Sequence, residues 1–248
     1  MRRVAIVPIV AVLLLSAGCR SKEAPPPRPE AASSATPNTV VPPRSNLPTV
    51  PDNPNQDSRP RIVCFGDSLT AGYGTEGGQA YPDYLQAELD RRGYSYRVVN
   101  AGISGNTTKD GAARVASVVA MKPAIVVVEF GGNDGLRGLR IADTRANLDQ
   151  ILSSLVASGT KVVLAGITLP PDYGADYIRQ FNETYDLLAK KFHVPLLPFL
   201  LRGVFGAEGM MQADRTHATA AGNETVANNV FSLIQPLLKK EPATPSRQ

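Results

Sequence analysis

The sequence predicts an α/β protein, a three-layer sandwich with a five-stranded parallel sheet between layers of helices. Three observations carry this. Short apolar runs alternate with segments whose apolar residues recur at helical spacing. The run Ile125-Val126-Val127-Val128 is continuously apolar, as a strand buried on both faces requires. Residues that turn or stop a chain, such as Gly66, Gly93 and Pro123, separate the segments.

Taken in order, residues 61–65 form a short apolar strand that ends at Gly66. Tyr81, Tyr84, Leu85 and Leu89 share a helical face, and Gly93 stops that helix. Residues 96–99 are the second strand. Residues 112–121 read as a helix halted by Pro123, and 124–130 as the central strand. Then come a helix over 141–157, a strand over 161–167, a helix over 177–192, a short last strand over 195–199 and a closing helix over 218–238. The expected strand order is flavodoxin-like, and such sheets bind ligands beyond the carboxyl ends of their strands. Chemistry is therefore expected in the loops after Phe65, Val99, Phe130 and Phe199.

The ends of the chain read differently. Residues 1–18 combine Arg2 and Arg3 with an apolar stretch and the small residues Ser16-Ala17-Gly18, the pattern of a secretory signal. The apolar stretch is too short for a membrane-spanning helix of ~20 residues. Leu15-Ser16-Ala17-Gly18-Cys19 resembles the bacterial lipobox, with Ser16 where leucine is usual. That resemblance implies lipidation of Cys19 and attachment to a membrane, since several acyl chains anchor stably where one does not. Arg20, in place of the aspartate of an inner-membrane retention signal, points to the outer membrane and a periplasmic location. Residues 19–60 then form a tether: ten prolines lie between Arg20 and Arg59, with almost no bulky apolar residues. At ~3 Å per residue in polyproline-like stretches, it would hold a domain tens of ångströms from a bilayer. Residues 61–240 are the one folded domain, and 241–248 a frayed tail.

Composition excludes some functions. The formal charge of +4 falls to +2 without Arg2 and Arg3, and no basic stripe alternates with aromatic residues, so nucleic acid is not an expected partner. There are two cysteines. With Cys19 lipidated, Cys64 has no partner and is expected to behave as a small buried apolar residue. Two histidines leave little room for a metal site, and no cofactor is expected.

The loops at the carboxyl edge carry the chemistry. Gly66-Asp67-Ser68-Leu69-Thr70 places a serine at the opening of a helix, where free amides favour an oxyanion; alone, it is also an ordinary cap. Asn100 to Thr107 contains Gly102 and Gly105, where backbone can approach a ligand, and equally a turn capped by Asn106 or Thr107. Gly131-Gly132-Asn133-Asp134 brings a side-chain amide to the same edge, or is simply a turn. Serine needs a base. His193 lies at the opposite end of the sheet, in a helix-to-strand connection. His217 follows the last strand, with Asp214 three residues before it to hold its imidazole. Four separate turns bringing Ser, Gly, Asn and Asp-His to one edge are poorly explained as coincidence.

The blocks Gly66-Asp67-Ser68-Leu69, Gly102 to Asn106, Gly131 to Asp134 and Asp214-Arg215-Thr216-His217 resemble, in order, the four blocks of the SGNH/GDSL hydrolases. Gly132 to Gly138 and Val194 to Phe199 are particularly similar to the bacterial arylesterase group that includes an acyl-thioesterase and lysophospholipase. The resemblance implies Ser68 as nucleophile, His217 as base and Asp214 as its partner. It implies an oxyanion hole formed by the Ser68 and Gly105 amides and the Asn133 side chain. One departure is Ala218, where proline usually follows the histidine. The implied activity is hydrolysis of acyl esters: aryl esters, lysophospholipids or acyl thioesters. Segments 136–141 and 169–173 are expected to wall the acyl site. A carbohydrate acetyl-esterase and a non-catalytic envelope-binding lipoprotein are the alternative readings.

Overall fold

The computed structural model of the protein describes residues 57–240. The expected signal, lipidated cysteine, most of the tether and the tail lie outside the described residues. The strands are β1 (Arg61–Gly66), β2 (Arg97–Gly102), β3 (Ile125–Glu129), β4 (Lys161–Ala165) and β5 (Leu196–Leu197). They form one sheet in the order β2-β1-β3-β4-β5, every pairing parallel. This is the expected flavodoxin-like order.

The helices are α1 (Ser68–Ala71), α2 (Tyr81–Arg91), α3 (Thr108–Ala120), α4 (Gly132–Leu136), α5 (Ile141–Ala157), α6 (Ala175–Phe192) and α7 (Ala220–Ile234). Helices α2 and α7 pack together, while α5 packs against both α3 and α6. These are the outer layers of the sandwich. The core is the sheet itself: Ile62 to Phe65 and Ile125 to Val128 are almost wholly inaccessible. Continuous apolar strands are stable here because helices cover both faces.

Boundaries moved where local hydrogen bonding decided them. Strand β2 runs on to Gly102, pairing Asn100, Ala101 and Gly102 with β1, so its loop begins later than Val99. Helix α3 starts at Thr108 rather than 112. The Thr107 hydroxyl accepts from the Asp110 amide, and the Asp110 carboxylate accepts from the Thr107 amide at 2.8 Å. Strand β5 has only two residues because Pro195 and Pro198 flank it and contribute no N–H. The closing helix starts at Ala220, where the Thr219 hydroxyl caps it, and gives way to a 3-10 turn over Gln235–Leu237 at Pro236. Cys64 is a buried free thiol, and burial pushes its pKa up to about 12.

Candidate active site

The turn between β1 and α1 is built around a missing side chain. A Cβ on Gly66 would lie 2.1 Å from Thr70 Oγ1 and 2.5 Å from Glu129 Oε2. Only glycine lets the chain pass so close to these two groups. Asp67 then caps α1, its Oδ1 accepting from the Leu69 amide at 3.0 Å. Gly72, with φ of 79°, ends the helix after four residues. Ser68 is thereby presented, half-buried, at the carboxyl edge of the sheet.

The opposing loop is held by an antiparallel bridge between Met211 and Ala218. Within it the Gln212 amide donates to the His217 carbonyl at 2.8 Å. Asp214 Oδ1 accepts from the Thr216 and His217 amides at 2.9 and 3.0 Å, a geometry that draws Arg215 to φ of 55°. Asp214 Oδ2 lies 2.7 Å from His217 Nδ1, and His217 Nε2 lies 2.8 Å from Ser68 Oγ. Burial raises the Asp214 pKa, but hydrogen bonds from the His217 ring and the His217 and Thr216 amides outweigh it and hold the pKa at about 2. An ionised carboxylate only accepts, so Nδ1 carries the ring proton of a neutral imidazole and Nε2 offers its lone pair to the Ser68 hydroxyl. The Tyr73 ring packs on the imidazole, centroids 4.6 Å apart. Gln212 Nε2 donates to the Tyr73 carbonyl at 2.7 Å and fastens the two loops together.

Ser68, Gly105 and Asn133 line the same cavity as His217. The Ser68 and Gly105 amides donate to no group among the described residues. Gly105 has φ of 81°, in the left-handed region that glycine tolerates. Asn133, on α4, donates from Nδ2 to Asp67 Oδ2 at 3.2 Å and to the Asn106 carbonyl at 3.0 Å. Both its hydrogens are engaged, so it can donate to an oxyanion only by sharing one of these bonds. The expected turn at Gly131 to Asp134 is in fact the start of this short helix, with Gly131 at φ of 120° before it.

A cavity of about 340 Å³ opens beside Ser68, and its lining is mostly apolar. Of the two expected walls, Leu136, Leu169, Pro170 and Pro171 line it, whereas 137–141, Asp172 and Tyr173 do not. Tyr173 instead joins the walls, its hydroxyl donating to the Leu136 carbonyl at 2.8 Å. Sequence reasoning missed Ile167, Phe199, Leu201 and Phe205, which the ends of β4 and β5 bring to the cavity.

It also missed two charged residues. Arg114 on α3 donates at 2.8 Å each to Asn106 Oδ1, the Ala101 carbonyl and the Gly66 carbonyl. Its guanidinium lies over the Phe65 ring, 4.5 Å from the centroid, and burial lowers its pKa. One side chain thus ties the end of β1, the end of β2 and the Gly105 loop together. Glu129, the last residue of β3, is wholly buried behind the Ser68 turn. A charge breaking each apolar pattern was the available signal: Glu129 directly after four aliphatic residues, and Arg114 between Ala112 and Val115. His193 is exposed and caps α6 at φ of 52°, away from Ser68. Among the described residues no three His, Cys, Asp or Glu side chains converge as a metal site.

Residues 64–225 match the GDSL-like lipase/acylhydrolase family. The chain is 44% identical over 178 residues to an esterase, TesA, of Pseudomonas aeruginosa, covering 71% of this chain and 89% of that protein. It is 38% identical over 181 residues to thioesterase 1/protease 1/lysophospholipase L1 of Escherichia coli K12, covering 73% and 86%. Among solved structures, the crystal structure of TesA superposes with a TM-score of 0.69 at 44% identity, covering 72% of this chain and 99% of that one.

Proposed function

The chain belongs to the GDSL-like lipase/acylhydrolase family, and from that premise we propose that it hydrolyses carboxylic acyl esters and thioesters through Ser68, His217 and Asp214. The observation that carries the reading is the unbroken line of hydrogen bonds from Ser68 Oγ through the imidazole to the Asp214 carboxylate, at 2.8 and 2.7 Å. Ser68 Oγ attacks the acyl carbonyl as Nε2 takes its proton. The bond to the leaving group breaks as the imidazolium returns that proton, leaving an acyl-enzyme. Water, activated by the same Nε2, then hydrolyses it. The Ser68 and Gly105 amides, with the Asn133 side chain, receive the oxyanion in each tetrahedral state; losing one such donor typically costs ~100-fold in rate. Ser68→Ala should abolish both hydrolysis and labelling by a serine-directed fluorophosphonate. Turnover that survives this change refutes the assignment.

The cavity favours substrates with an apolar acyl chain over acetylated sugars. An acetyl group would leave most of the space between Leu169, Leu201 and Phe205 unfilled. Aryl esters, lysophospholipids and acyl thioesters all present a chain that fills it. Initial rates along an acyl series from acetyl to palmitoyl test this reading. A maximum at acetyl would return the choice to the carbohydrate esterases.

The proposal for location rests on residues outside those described. A basic start, an apolar stretch and Cys19 after small residues support export and lipidation, with the outer membrane facing the periplasm as the destination. Cys19→Ser should move the protein from the membrane fraction to the soluble one.

A further inference from the structure

Glu129 has no role in the proton transfers above, yet it is the carboxyl buried most deeply beside them. Its side chain is wholly inaccessible, and its Oε2 accepts from Thr70 Oγ1 at 2.8 Å and from the Asp67 amide at 3.3 Å. Its partner in register on β1 is Gly66, whose missing side chain makes the room. Oε1 is buried too and has no hydrogen-bond partner among the described residues. Both carboxyls are buried, and the Glu129 carboxyl reaches the Asp67 backbone directly, so the charge state of each acts on the other.

The surroundings do not neutralise two negative charges. Asp67 faces Glu129 from the Ser68 turn, Tyr81 from α2 and Tyr185 from α6; Cys64 of β1 and Asp134 of α4 act on those tyrosines, and His217 faces Asp67. Arg114, which bonds to the Gly66 carbonyl, gives its donors to Asn106, Ala101 and Gly66. Two buried carboxyls in one enclosure repel each other when both are ionised, and a proton held by one of them relieves that repulsion. The hydrogen bonds say where it resides. Asp67 accepts on both oxygens, from the Leu69 amide and from Asn133 Nδ2, which favours its ionised form. Glu129 has acceptor contacts on one oxygen and none on the other, so its carboxyl is the one with a proton to give.

We propose that Glu129 is a protonated positioning residue, a buried carboxylic acid that donates to Asp67 and so fixes both the cap of the Ser68 helix and the orientation of the Asn133 amide. Burial and the neighbouring Asp67 both push the Glu129 pKa well up, in keeping with this. The inference rests on the esterase reading for its functional consequence but not for the proton itself.

Two measurements on the full-length chain test it. In Glu129→Gln the amide reproduces the pattern, one donor to Asp67 and one acceptor for Thr70 and the Asp67 amide. It should keep kcat on an aryl ester within about threefold of the parent. Glu129→Leu fills the space without a donor and should lower kcat by about 30-fold with KM little changed, the size expected for losing a hydrogen bond to a charged group. Equal loss in both variants, or none in the leucine variant, overturns the proposal. The second measurement survives misfolding of either variant. Protein labelled with carboxyl-13C glutamate should show an isotope-shifted protonated-carboxyl stretch in its infrared spectrum at pH 7, since Glu129 is the buried glutamate among the described residues. That band should persist in Ser68→Ala, where hydrolysis is lost, and its absence from the parent overturns the proposal. Hydrolysis retained by Ser68→Ala would instead remove the esterase reading while leaving the proton in place.

Discussion

Replacing Asp214 by asparagine separates what its charge does from what its shape does. Oδ1 can go on accepting from the Thr216 and His217 amides, which lie 2.9 and 3.0 Å away, so the loop and the imidazole stay where they are. The second position, 2.7 Å from Nδ1, becomes an NH2 group. Two donors cannot face each other, so the imidazole moves its proton to Nε2 and points it at Ser68, the wrong tautomer for a base. Where the carboxylate of such a triad is buried, this change costs ~10⁴-fold in kcat. Here the Asp214 side chain is 41% exposed, so water can relieve part of the mismatch and screen the charge. The expected loss is therefore smaller, about 100- to 1,000-fold. Asp214→Ala removes the carboxylate without forcing the tautomer, and water can take its place beside Nδ1. It should lose only about 10- to 100-fold, making the more conservative substitution the more damaging one. Initial rates on a chromogenic aryl ester, with active sites counted by fluorophosphonate, measure both. An alanine variant slower than the asparagine variant would refute the tautomer argument.

Three other outcomes follow from the same geometry. Gly66→Ala pushes a methyl group into Thr70, Glu129 and the Glu129 carbonyl, and should lower stability by ~1–3 kcal/mol in urea titrations. Leu201→Trp narrows the cavity and should shift the preferred acyl chain to shorter lengths by about two or more carbons while leaving the rate on acetyl esters nearly unchanged. The third concerns pH. Burial raises the Asp67 pKa to about 6, and Glu129 is raised well beyond its usual range. A carboxyl raised on folding keeps its proton in the native state and releases it on unfolding, so stability is highest at low pH and falls as pH rises towards the folded pKa. Between pH 7 and 8 Asp67 is largely ionised folded and unfolded alike, leaving Glu129 as the main source of the slope. Glu129→Gln should remove from that interval a loss of up to ~1.4 kcal/mol per pH unit, read from denaturant titrations at fixed pH.

Local pattern sufficed where a residue's role depends on its neighbours in the chain. The range 141–157 of α5 was readable to the residue, because its apolar period and its flanks lie within one window. The Ser68 turn was readable from glycine, a capping aspartate and an exposed hydroxyl in sequence. So was His217, since a histidine three residues after an aspartate at the end of the last strand has few other uses. The last strand was overestimated for the converse reason: an apolar run carries no record of how many of its amides will find partners, and prolines at 195 and 198 removed them.

By itself, then, the chain determined the layered α/β architecture and pointed to Ser68, His217 and Asp214, which the fold brings together, because periodicity and turn chemistry are properties of adjacent residues. Tertiary structure alone decided how those groups are supported. Arg114 joins carbonyls 13 and 48 residues away. Glu129 meets Asp67 across 62 residues. The cavity wall at Leu201 and Phe205 forms only where β5 ends beside β4. A buried ionisable group is tolerable only in one particular enclosure, and that enclosure is assembled from strands that are distant in sequence and adjacent only once the sheet has formed.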